Sequence, residues 1–572
     1  MLSLLSLLAC APEEAADGCA AGLDMDGDGI CDREAADWSA DATVPAGTNR
    51  ANIYDLSAAD LLVAQEAGLA HLSVWPVEGT RVLLPYEPMV SVFSDPEAEA
   101  VRQLMDSLAG FSSEEGLYET MGLSRYPSDA GEPGSPYWAP LPDGFAVGDP
   151  MGAAVLETEL GGGLTFSCAT CHVGELFGRP VVGLMSRRPR PNALFHFAGT
   201  GLAQLSPEAF QELTGATDGE TEMFEELLDA LSHVGTAEPV TLGLDTSLAQ
   251  VARSLARRTP DGIASFDPFL AENPAPTALD GLVADSKPMV WWTMKYKTRW
   301  LADASIVEGN PVLTNFLWNE LGRGADLESL AAWLESPEGA RVVDELTVAV
   351  FASEAPRWTD YFPADSIDES LAQEGEALFT ARCAGCHGTY EKGWSTPDAE
   401  GLSATERLAT VSVTYAPQTV TVDVGTDPQR AQGMVALEDL NRLDISAWMQ
   451  TTVEAGVGYV PPPLDGIWAR YPYLHNNAVP TLCDLLTPPS ERATLFVQGP
   501  ADDPETDFDA DCVGYPTGDA IPESWLGDEE ATYTVGGPGQ SSAGHDQMLY
   551  DGDTLVIGDA ERAALIAFLK TL

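Results

Sequence analysis

A pair of Cys-x-x-Cys-His motifs constrains this chain more than any other feature. Residues 166–173 read FSCATCHV and residues 382–389 read RCAGCHGT. With nine Cys and seven His in 572 residues, chance would supply about 0.002 such motifs. The repeated unit therefore serves a chemical purpose, and three kinds of site are compatible with it.

These three kinds of site are a redox dithiol, a zinc site and a covalently attached haem. A redox dithiol usually lies at a helix start near a βαβ pattern and needs no histidine after it. A structural zinc site needs four ligands, so each motif would have to recruit further Cys or His. Haem attachment uses all three residues, because both thiols bind the vinyl groups and the adjacent His ligates the iron.

Cysteine usage favours haem over zinc. Four of the nine cysteines belong to the motifs, and the other five have separate assignments: Cys10, Cys19, Cys31, Cys483 and Cys512. No cysteine is left to complete two zinc sites. We therefore predict two haem c groups, bound through Cys168/Cys171 and Cys383/Cys386, with His172 and His387 as proximal iron ligands.

The second axial position of each iron is not determined by spacing. The candidate histidines are His71, His196, His233, His475 and His545, and the chain also has 13 methionines. For any single one of these histidines, a hydrogen-bonded structural role is the more common one.

The N-terminus predicts export. Residues 1–10, MLSLLSLLAC, combine a short apolar run with a cysteine and resemble a lipoprotein-type signal, which would make Cys10 the lipidated residue. An ordinary secretory leader is the alternative, and no Lys or Arg precedes the apolar run. No later stretch reaches 18 apolar residues, so we expect membrane contact only through a lipid anchor, in the periplasm or at the outer membrane or cell surface.

Residues 11–45 form an Asp-rich linker with the spacing of a calcium loop. The candidate ligands are Asp24, Asp26, Asp28 and Asp32, with Gly29 at the turn position. Position 12 of an EF-hand loop usually holds a Glu that binds calcium through both oxygens, but here it would be Ala35. The segment is therefore closer to short extracellular calcium repeats than to an EF-hand. Cys19 and Cys31 flank the loop and could form a disulfide; a solvated acidic linker is the alternative.

The charge balance excludes two classes of partner. Asp and Glu number 89 against 28 Lys and Arg, a formal charge of −61. Such a surface repels nucleic acid and anionic lipid, so we expect neither as a partner. The simplest interpretation is an acidic solvating coat.

Helical patterns predict a mainly α protein with long loops and few short strands, in which residues 46–350 and 351–572 are two haem-bearing cytochrome regions. Leu248, Val251 and Leu255 share one helix face, which Thr246 or Ser247 would cap. A helix capped by Ser366 and Glu369 should lead into the second motif, and another, capped by Asp559, should end the chain. This layout resembles class I cytochrome c, in which a glycine such as Gly375 lets an aromatic such as Phe568 approach.

Several segments resemble bacterial di-haem cytochromes of the rubber oxygenase family, which are related to di-haem cytochrome c peroxidases. They are SCATCHVGELFGRPVVG at 167–183, KPMVWWTMKYKTRW at 287–300, VDVGTDPQRA at 422–431, LDGIWARYPYLHNNAVPTLCDLL at 464–486 and the C-terminal GHDQ and ERAALIAFLKTL. The resemblance implies that His545 is the second axial ligand of the haem at Cys383/Cys386. It also implies that His475 lies beside that haem as a relay, and that the first haem keeps an open distal face near Trp291 and Trp292.

The resulting hypothesis is an oxidoreductase that activates O2 or peroxide at one haem while the other, bis-His haem relays electrons. Its partners would be a small redox protein, or O2 or peroxide together with an organic substrate. The candidate catalytic residues are His475, Trp291 and Trp292, although paired Trp residues also commonly serve core packing. The alternatives are a non-catalytic electron-transfer cytochrome and a di-haem cytochrome c peroxidase.

Cys483 and Cys512 remain as a candidate disulfide in the C-terminal region.

Overall fold

The computed structural model describes residues 24–25, 30–74, 82–244 and 248–572. Helix accounts for 43% and strand for 11%, so the expectation of a mostly helical chain with few short strands is confirmed. Within the described ranges, no helix combines the length and the apolar character needed to cross a membrane. Thr246 and Ser247, predicted as alternative helix caps, lie outside the described residues.

The helices are short, and few exceed three turns. In the described part of the chain they are α1 (Asp32–Ala35), α2 (Ala58–Val74), α3 (Tyr86–Ser94), α4 (Glu99–Ala109), α5 (Glu114–Thr120), α6 (Ala169–His172), α7 (Pro191–Thr200), α8 (Pro207–Thr214), α9 (Asp218–Ser232), α10 (Leu248–Leu255), α11 (Pro268–Glu272), α12 (Pro311–Arg323), α13 (Leu327–Leu334), α14 (Pro337–Phe351), α15 (Glu369–Arg382), α16 (Ala384–His387), α17 (Ala404–Leu408), α18 (Gln429–Gly433), α19 (Asp444–Trp448), α20 (Leu482–Leu485) and α21 (Asp559–Leu569).

The strands form small antiparallel units. Their bounds are β1 (Leu84–Pro85), β2 (Ala153–Thr158), β3 (Gly161–Phe166), β4 (Val173–Leu176), β5 (Arg179–Val182), β6 (Ile306–Glu308), β7 (Thr389–Lys392), β8 (Thr410–Thr414), β9 (Thr452–Val453), β10 (Leu495–Val497), β11 (Thr532–Thr534), β12 (Tyr550–Asp551) and β13 (Thr554–Leu555). One sheet has three strands in the order β1-β3-β2, and the remaining pairs are β4-β5, β6-β9, β7-β8, β10-β11 and β12-β13.

The second motif lies in a helical frame. Helix α15 runs directly into the motif, and the amphipathic α21 crosses it near the end of the chain. The predicted capping box is wrong: Asp368 caps α15, because its carboxylate accepts the N–H groups of Ser370 and Leu371. Ser366 ends the preceding short 3-10 turn instead, where its hydroxyl contacts Trp358.

The other predicted cap is displaced by one residue. Asp559 is the first residue of α21, and the preceding Gly558 occupies the N-cap. The Glu561 carboxylate accepts the Gly558 N–H at 3.0 Å and closes the first turn. A carboxylate at the start of a helix is favoured by the helix dipole, which is why the acidic pair Asp559 and Glu561 suits this position.

The crossing of α15 and α21 depends on Gly375. A Cβ atom at residue 375 would lie 1.9 Å from the carbonyl oxygen of Ala564 and 2.9 Å from the Cβ of Phe568. The glycine therefore lets the two backbones touch. Phe379 and Phe568 then pack with ring centroids 5.2 Å apart, as the resemblance to class I cytochromes led us to expect.

The first motif lies in a β frame rather than a helical one. Strand β3 leads into Cys168, the single turn of α6 carries the motif, and the β4-β5 hairpin follows at once. The segment AAVLETELGGGLTF before the motif is rich in small and β-compatible residues and pairs as β2-β3. The helix-to-motif layout of a cytochrome c domain is thus seen at the second motif and not at the first.

Two large hydrophobic cores interleave along the chain. The first includes α2, α10, α12 and α14, where Leu248, Val251 and Leu255 are buried as predicted. Residues 434–453 also pack into this core, through Met434, Leu437 and Met449. The second core joins residues 358–572 to Leu176, Leu184 and Trp292 from the N-terminal half. The two motifs are therefore held by segments from both halves of the chain.

Candidate haem sites

His387 of the second motif is held in position by the turn that carries it and by one hydrogen bond. Cys383 caps the end of α15, and the one-turn helix α16 ends at His387. The imidazole Nδ1 donates a hydrogen bond to the carbonyl of Pro462 at 2.8 Å. This bond fixes the tautomer and leaves Nε2 as the nitrogen with a free lone pair, as a metal-ligating histidine requires.

His545 faces His387. Their ring centroids lie 6.0 Å apart, with an interplanar angle of 62°. Two imidazoles that share one metal, each with a metal–nitrogen bond of about 2 Å and about 1.1 Å from nitrogen to ring centre, would have centroids about 6.2 Å apart. The separation of the pair therefore fits bis-histidine ligation of one iron.

Backbone contacts hold His545 in this position. Its N–H donates to the Val424 carbonyl at 2.8 Å, its φ is +49°, and Arg492 donates to its carbonyl. Burial, with His387 and Arg492 nearby, lowers the pKa of His545 to about 3. The ring is thus neutral at physiological pH, which ligation needs, and its Nδ1 is buried without a hydrogen-bond partner among the described residues.

The loop after residue 460 encloses this site. The Pro461 carbonyl accepts from the Tyr415 hydroxyl, and the Leu464 N–H donates to the Tyr390 hydroxyl. Arg470 donates to the Pro463 and Asp465 carbonyls of the same loop. Burial lowers the pKa of His387, and the charge of Arg470 lowers it further.

The two cysteines of the second motif differ in exposure. Cys383 is partly buried at the end of α15, whereas Cys386 is exposed. An exposed thiol is accessible for the thioether bond to haem that the sequence predicts. The thiol is exposed because the single turn α16 lies at the surface: a Cβ added to the neighbouring Gly385 would meet no atom within 4 Å. The protein alone therefore leaves Cys386 uncovered, and its thioether bond to haem stays a prediction.

The first thiol of each motif lacks the lowered pKa of a catalytic dithiol. Burial raises the pKa of both Cys168 and Cys383 to about 12, whereas catalytic dithiols have lowered thiol pKa values. Zinc is not supported either, because no group of three or more His, Cys, Asp or Glu is arranged for a metal ion within the described ranges. Thioether attachment to haem is consistent with both observations.

The first motif opens into a cavity of about 290 Å³ lined by Cys168, Cys171 and His172. His172 is positioned by its N–H bond to the Cys168 carbonyl at 3.0 Å and by the Gly183 N–H, which donates to its carbonyl at 2.8 Å. Burial lowers the pKa of His172 to about 4, and the Met289 backbone opposes this shift. The imidazole is therefore neutral and ready to act as a ligand.

The cavity walls are mostly apolar. They include Leu194, Phe195, Met289, Trp300, Ile306, Phe316, Leu346 and Val350. Polar side chains also line it, among them Gln250, Lys287, Glu320 and Arg430. A large apolar cavity with a few convergent polar groups is typical of cofactor and small-molecule sites, so the space beside the three motif residues fits a haem.

The remaining histidines have other partners. His71 contacts Glu345 at 2.6 Å, and His196 lies 3.2 Å from the Thr236 hydroxyl. His233 stacks on Phe266, and His475 stacks on Tyr459 with centroids 3.9 Å apart. All seven histidines belong to the described residues, and of these only His172 lines the cavity. Three methionines do line it: Met121, Met289 and Met294.

His475 lies next to residues of the first site. Its carbonyl accepts the Lys287 N–H at 2.9 Å, and burial together with Arg430 and Lys287 lowers its pKa to about 3. Both of these cationic residues line the cavity of the first motif. His475 therefore contacts the edge of the first site through Lys287.

Trp291 and Trp292 face different sites. The Trp291 ring packs on His172 with centroids 5.3 Å apart and lines the cavity. The fully buried Trp292 donates its indole N–H to the Asp465 carbonyl at 2.8 Å, three residues beyond the Pro462 that binds His387. Two adjacent indoles thus connect the surroundings of the two motifs.

The candidate calcium loop is only partly described. Asp32 is buried, and its carboxylate accepts the Met25 N–H at 2.6 Å, while Asp24 lies just before that residue. Asp26 and Asp28 lie outside the described residues, as do Cys10 and Cys19. Cys31 is disulfide-bonded.

The C-terminal candidate disulfide is formed. Cys483 and Cys512 are bonded, with Cα atoms 5.0 Å apart. The bond lies close to the segment that carries His475, and it links α20 to the chain that follows β10. The structure thus brings these two predicted residues together.

Sequence reasoning missed the residues that shape the sites without ligating iron. Pro462 carried no motif, and the proline-rich stretch PPPLDG at 461–466 was its only signal. Lys287 and Arg470 lie in the resembling segments 287–300 and 464–486, but neither was assigned a role. The cavity walls come from α7, α12 and α14, whose apolar patterns indicate helix burial but not what lies against them.

Comparisons with known proteins agree with this geometry. Residues 372–452 match the cytochrome c family, and residues 458–497 match the family described as RoxA-like, cytochrome c-like. The first match contains the second motif, and the second contains Pro462, Arg470 and His475.

Two curated proteins of Sinorhizobium fredii are similar to parts of the chain. Uncharacterized protein y4iJ is 33% identical over 268 residues, which are 38% of this chain and 41% of y4iJ. Uncharacterized protein y4iM is 39% identical over 101 residues, which are 17% of this chain and 22% of y4iM. The chain thus spans less than half the length of the curated relatives it matches. The chain therefore contains a cytochrome c domain at residues 372–452, which carries the His387 motif, followed by a RoxA-like, cytochrome c-like region at residues 458–497.

Proposed function

We propose that the chain is an exported di-haem c-type cytochrome that works as an oxidoreductase. Cys168, Cys171 and His172, in region 46–350, would hold a haem that supplies the reaction with O2 or peroxide. Cys383, Cys386, His387 and His545, in region 351–572, would hold a haem that supplies electron relay. The family matches support a haem redox role, and the assignment of the two tasks comes from the two sites themselves.

The observation that carries this assignment is the difference between the sites. His545 lies at ligation distance across from His387, with centroids 6.0 Å apart. At the first motif, His172 is the one histidine of the described chain that lines a cavity of about 290 Å³. One site therefore favours a closed iron and the other favours an accessible one.

Bound haem would supply a one-electron centre that reacts with O2 or peroxide where an axial position is open. The chain's own residues prepare the surroundings. His172 is held neutral by burial and oriented by Gly183 and Cys168. Apolar side chains form most of the cavity wall, and Trp291 with Trp292 provides an aromatic connection toward the second site.

The cavity walls favour an apolar organic substrate beside the first haem, because apolar atoms form most of the surface that such a substrate would contact. A small redox protein would exchange electrons at the second haem. Since the chain carries a formal charge of −61, a basic redox protein is the electrostatically favoured partner.

Export and anchoring complete the proposal. The Cys483–Cys512 disulfide supports an oxidising compartment, in which haem c is also attached. Lipidation at Cys10 would hold the protein at the periplasmic face or the cell surface. A calcium ion at Asp24, Asp26, Asp28 and Asp32 would order the linker that follows.

One observation favours the alternative of a non-catalytic electron-transfer cytochrome. Met121, Met289 and Met294 line the first cavity, and a thioether can close an iron as a sixth ligand. With both irons closed, the chain would transfer electrons without reacting with O2 or peroxide.

The test is single-turnover oxidation of the fully reduced protein by O2 or hydrogen peroxide, followed by stopped-flow absorbance. We expect reoxidation in two phases, the second of which reports the second haem and slows in Trp292→Phe. Carbon monoxide added beforehand should suppress both phases. Reoxidation that is absent, or that CO does not affect, would contradict the proposal and favour electron transfer.

A further inference from the structure

A chain of aromatic side chains leads away from the tryptophan pair beside the first motif. Trp292 of this pair is fully buried. A Cβ atom added at Gly466 would lie 3.3 Å from Cζ2 of Trp292 and 3.4 Å from Cδ of Pro356. Trp468, two residues further along the chain, donates its indole N–H to the Pro356 carbonyl at 3.0 Å. The Trp292 and Trp468 indoles are therefore linked through the backbone of these two residues.

Beyond Trp468 the aromatic rings are in direct contact. The Trp468 ring centroid lies 5.6 Å from that of Tyr361, and the Tyr361 centroid lies 5.8 Å from that of Tyr137. Aromatic pairs about 4.5–7 Å apart are ordinary packing contacts. Trp and Tyr are also the aromatic side chains that can be oxidised by one electron. The residue at the end of the chain distinguishes a redox role from packing alone.

Tyr137, at the end of this chain, is hydrogen-bonded to a base. Its hydroxyl donates to Oδ2 of the exposed Asp360 at 2.9 Å. Burial, with Tyr361 and Asp360 nearby, raises the pKa of Tyr137, so the phenol is protonated at neutral pH. A phenol that loses an electron becomes a strong acid, and the Asp360 carboxylate is placed to accept the proton and pass it to solvent. By contrast, the hydroxyls of Tyr471 and Tyr515 in the same core have no hydrogen-bond partner among the described residues.

A neighbouring cation couples the loss of the electron to the loss of the proton. The guanidinium carbon of Arg179 lies 3.7 Å from the centroid of the Tyr137 ring. A positive charge at this distance opposes a second positive charge on the ring. Tyr137 therefore gives up an electron only when its proton leaves as well, and the product is a neutral phenoxyl radical.

We propose that Tyr137 is a redox-active tyrosine through which the first site oxidises a small neutral phenol at the protein surface. This inference rests on the proposed function, because peroxide reacting at the first motif supplies the oxidant. The electron passes from Tyr137 through Tyr361, Trp468 and the tryptophan pair to that site, while the phenolic proton passes to Asp360.

The donor must return both an electron and a proton to Tyr137. A phenol or hydroquinone does so when its own O–H bond breaks, so that two phenols reduce one hydrogen peroxide to two waters and form two phenoxyl radicals. The two protons that Asp360 passes to solvent balance those that the waters take up. A formal charge of −61 repels anionic donors, which favours a neutral phenol. Since Tyr137 is 6% exposed, the donor approaches its hydroxyl beside Asp360 and does not enter the first cavity.

The test adds excess hydrogen peroxide to the haem-loaded protein and records electron paramagnetic resonance after freeze-quenching. We expect a radical signal that narrows when the tyrosine rings are deuterated and that is lost in Tyr137→Phe. Asp360→Asn still accepts the hydrogen bonds of Tyr137 and the Arg357 N–H but cannot take up a proton, so it should lose the signal too. Oxidation of hydroquinone by peroxide should fall in both variants.

Tyr515→Phe is the matched control. Tyr515 is fully buried in the same aromatic core, but its hydroxyl has no described partner, so this variant should keep both the radical and the hydroquinone oxidation. A radical that persists in Tyr137→Phe, or hydroquinone oxidation that is unchanged in that variant, would overturn the inference. Reoxidation of the fully reduced haems by peroxide is measured in parallel. If the native protein fails that measurement, the proposed function itself is contradicted; if it passes and no tyrosine radical forms, the inference alone fails.

Discussion

Replacing Gly375 by Ala tests whether the crossing of α15 and α21 holds the second haem region together. The new Cβ would lie 1.9 Å from the Ala564 carbonyl oxygen, whereas an ordinary contact is about 3.5 Å, so the helices must separate by about 1.5 Å. Overpacking of this kind costs about 3 kcal/mol, and the better helix propensity of Ala offsets about 1 kcal/mol. The expected net loss is about 2 kcal/mol.

Hydrogen exchange followed by mass spectrometry measures this loss locally. A loss of about 2 kcal/mol corresponds to roughly 30-fold faster exchange of the α15 amides. Gly401→Ala is the control, because its added Cβ meets no atom within 4 Å. Equal α15 protection in the two variants would refute the claim that close backbone contact stabilises this crossing.

The remaining predictions concern three other positions. His545→Ala should open the second iron, so that CO shifts the spectrum of all the haem rather than about half; unchanged CO uptake would contradict its role as ligand. Cys483→Ser removes a cross-link between residues 29 apart, which should cost about 3–4 kcal/mol in guanidinium unfolding; an unchanged midpoint would show that the bond does not constrain the unfolded chain. Burial raises the pKa of Asp344 from 3.8 to about 7, so folding takes up a proton between these values and stability falls as pH rises through this window. Asp344→Asn should remove that fall, and thermal unfolding at pH 5 and pH 8 checks it.

The sequence predicted the parts of this protein that local chemistry determines. Both motifs could be found because haem attachment needs three residues at fixed spacing, although that spacing says nothing of the exposure of Cys386. The α15–α21 crossing was predictable as well, since an amphipathic period marks each helix and Gly375 marks the contact. The cap of α15 was wrong by two residues because Ser366 and Asp368 are both good N-caps, and only the backbone geometry of the preceding turn decides between them.

Long-range contacts could not be predicted in the same way. Nothing local in residues 434–453 indicates that Met434 and Leu437 pack into the first core. The β frame of the first motif was missed because the helical cytochrome pattern was assumed for both motifs.

The most direct test of the central claim is carbon monoxide titration of the dithionite-reduced, purified protein, followed in the Soret band. CO needs an open or easily displaced axial position. If His545 closes the second iron and the first cavity leaves its iron accessible, about half of the haem should shift. If neither haem responds, both irons are closed, which would contradict the proposed reaction with O2 or peroxide and support an electron-transfer role.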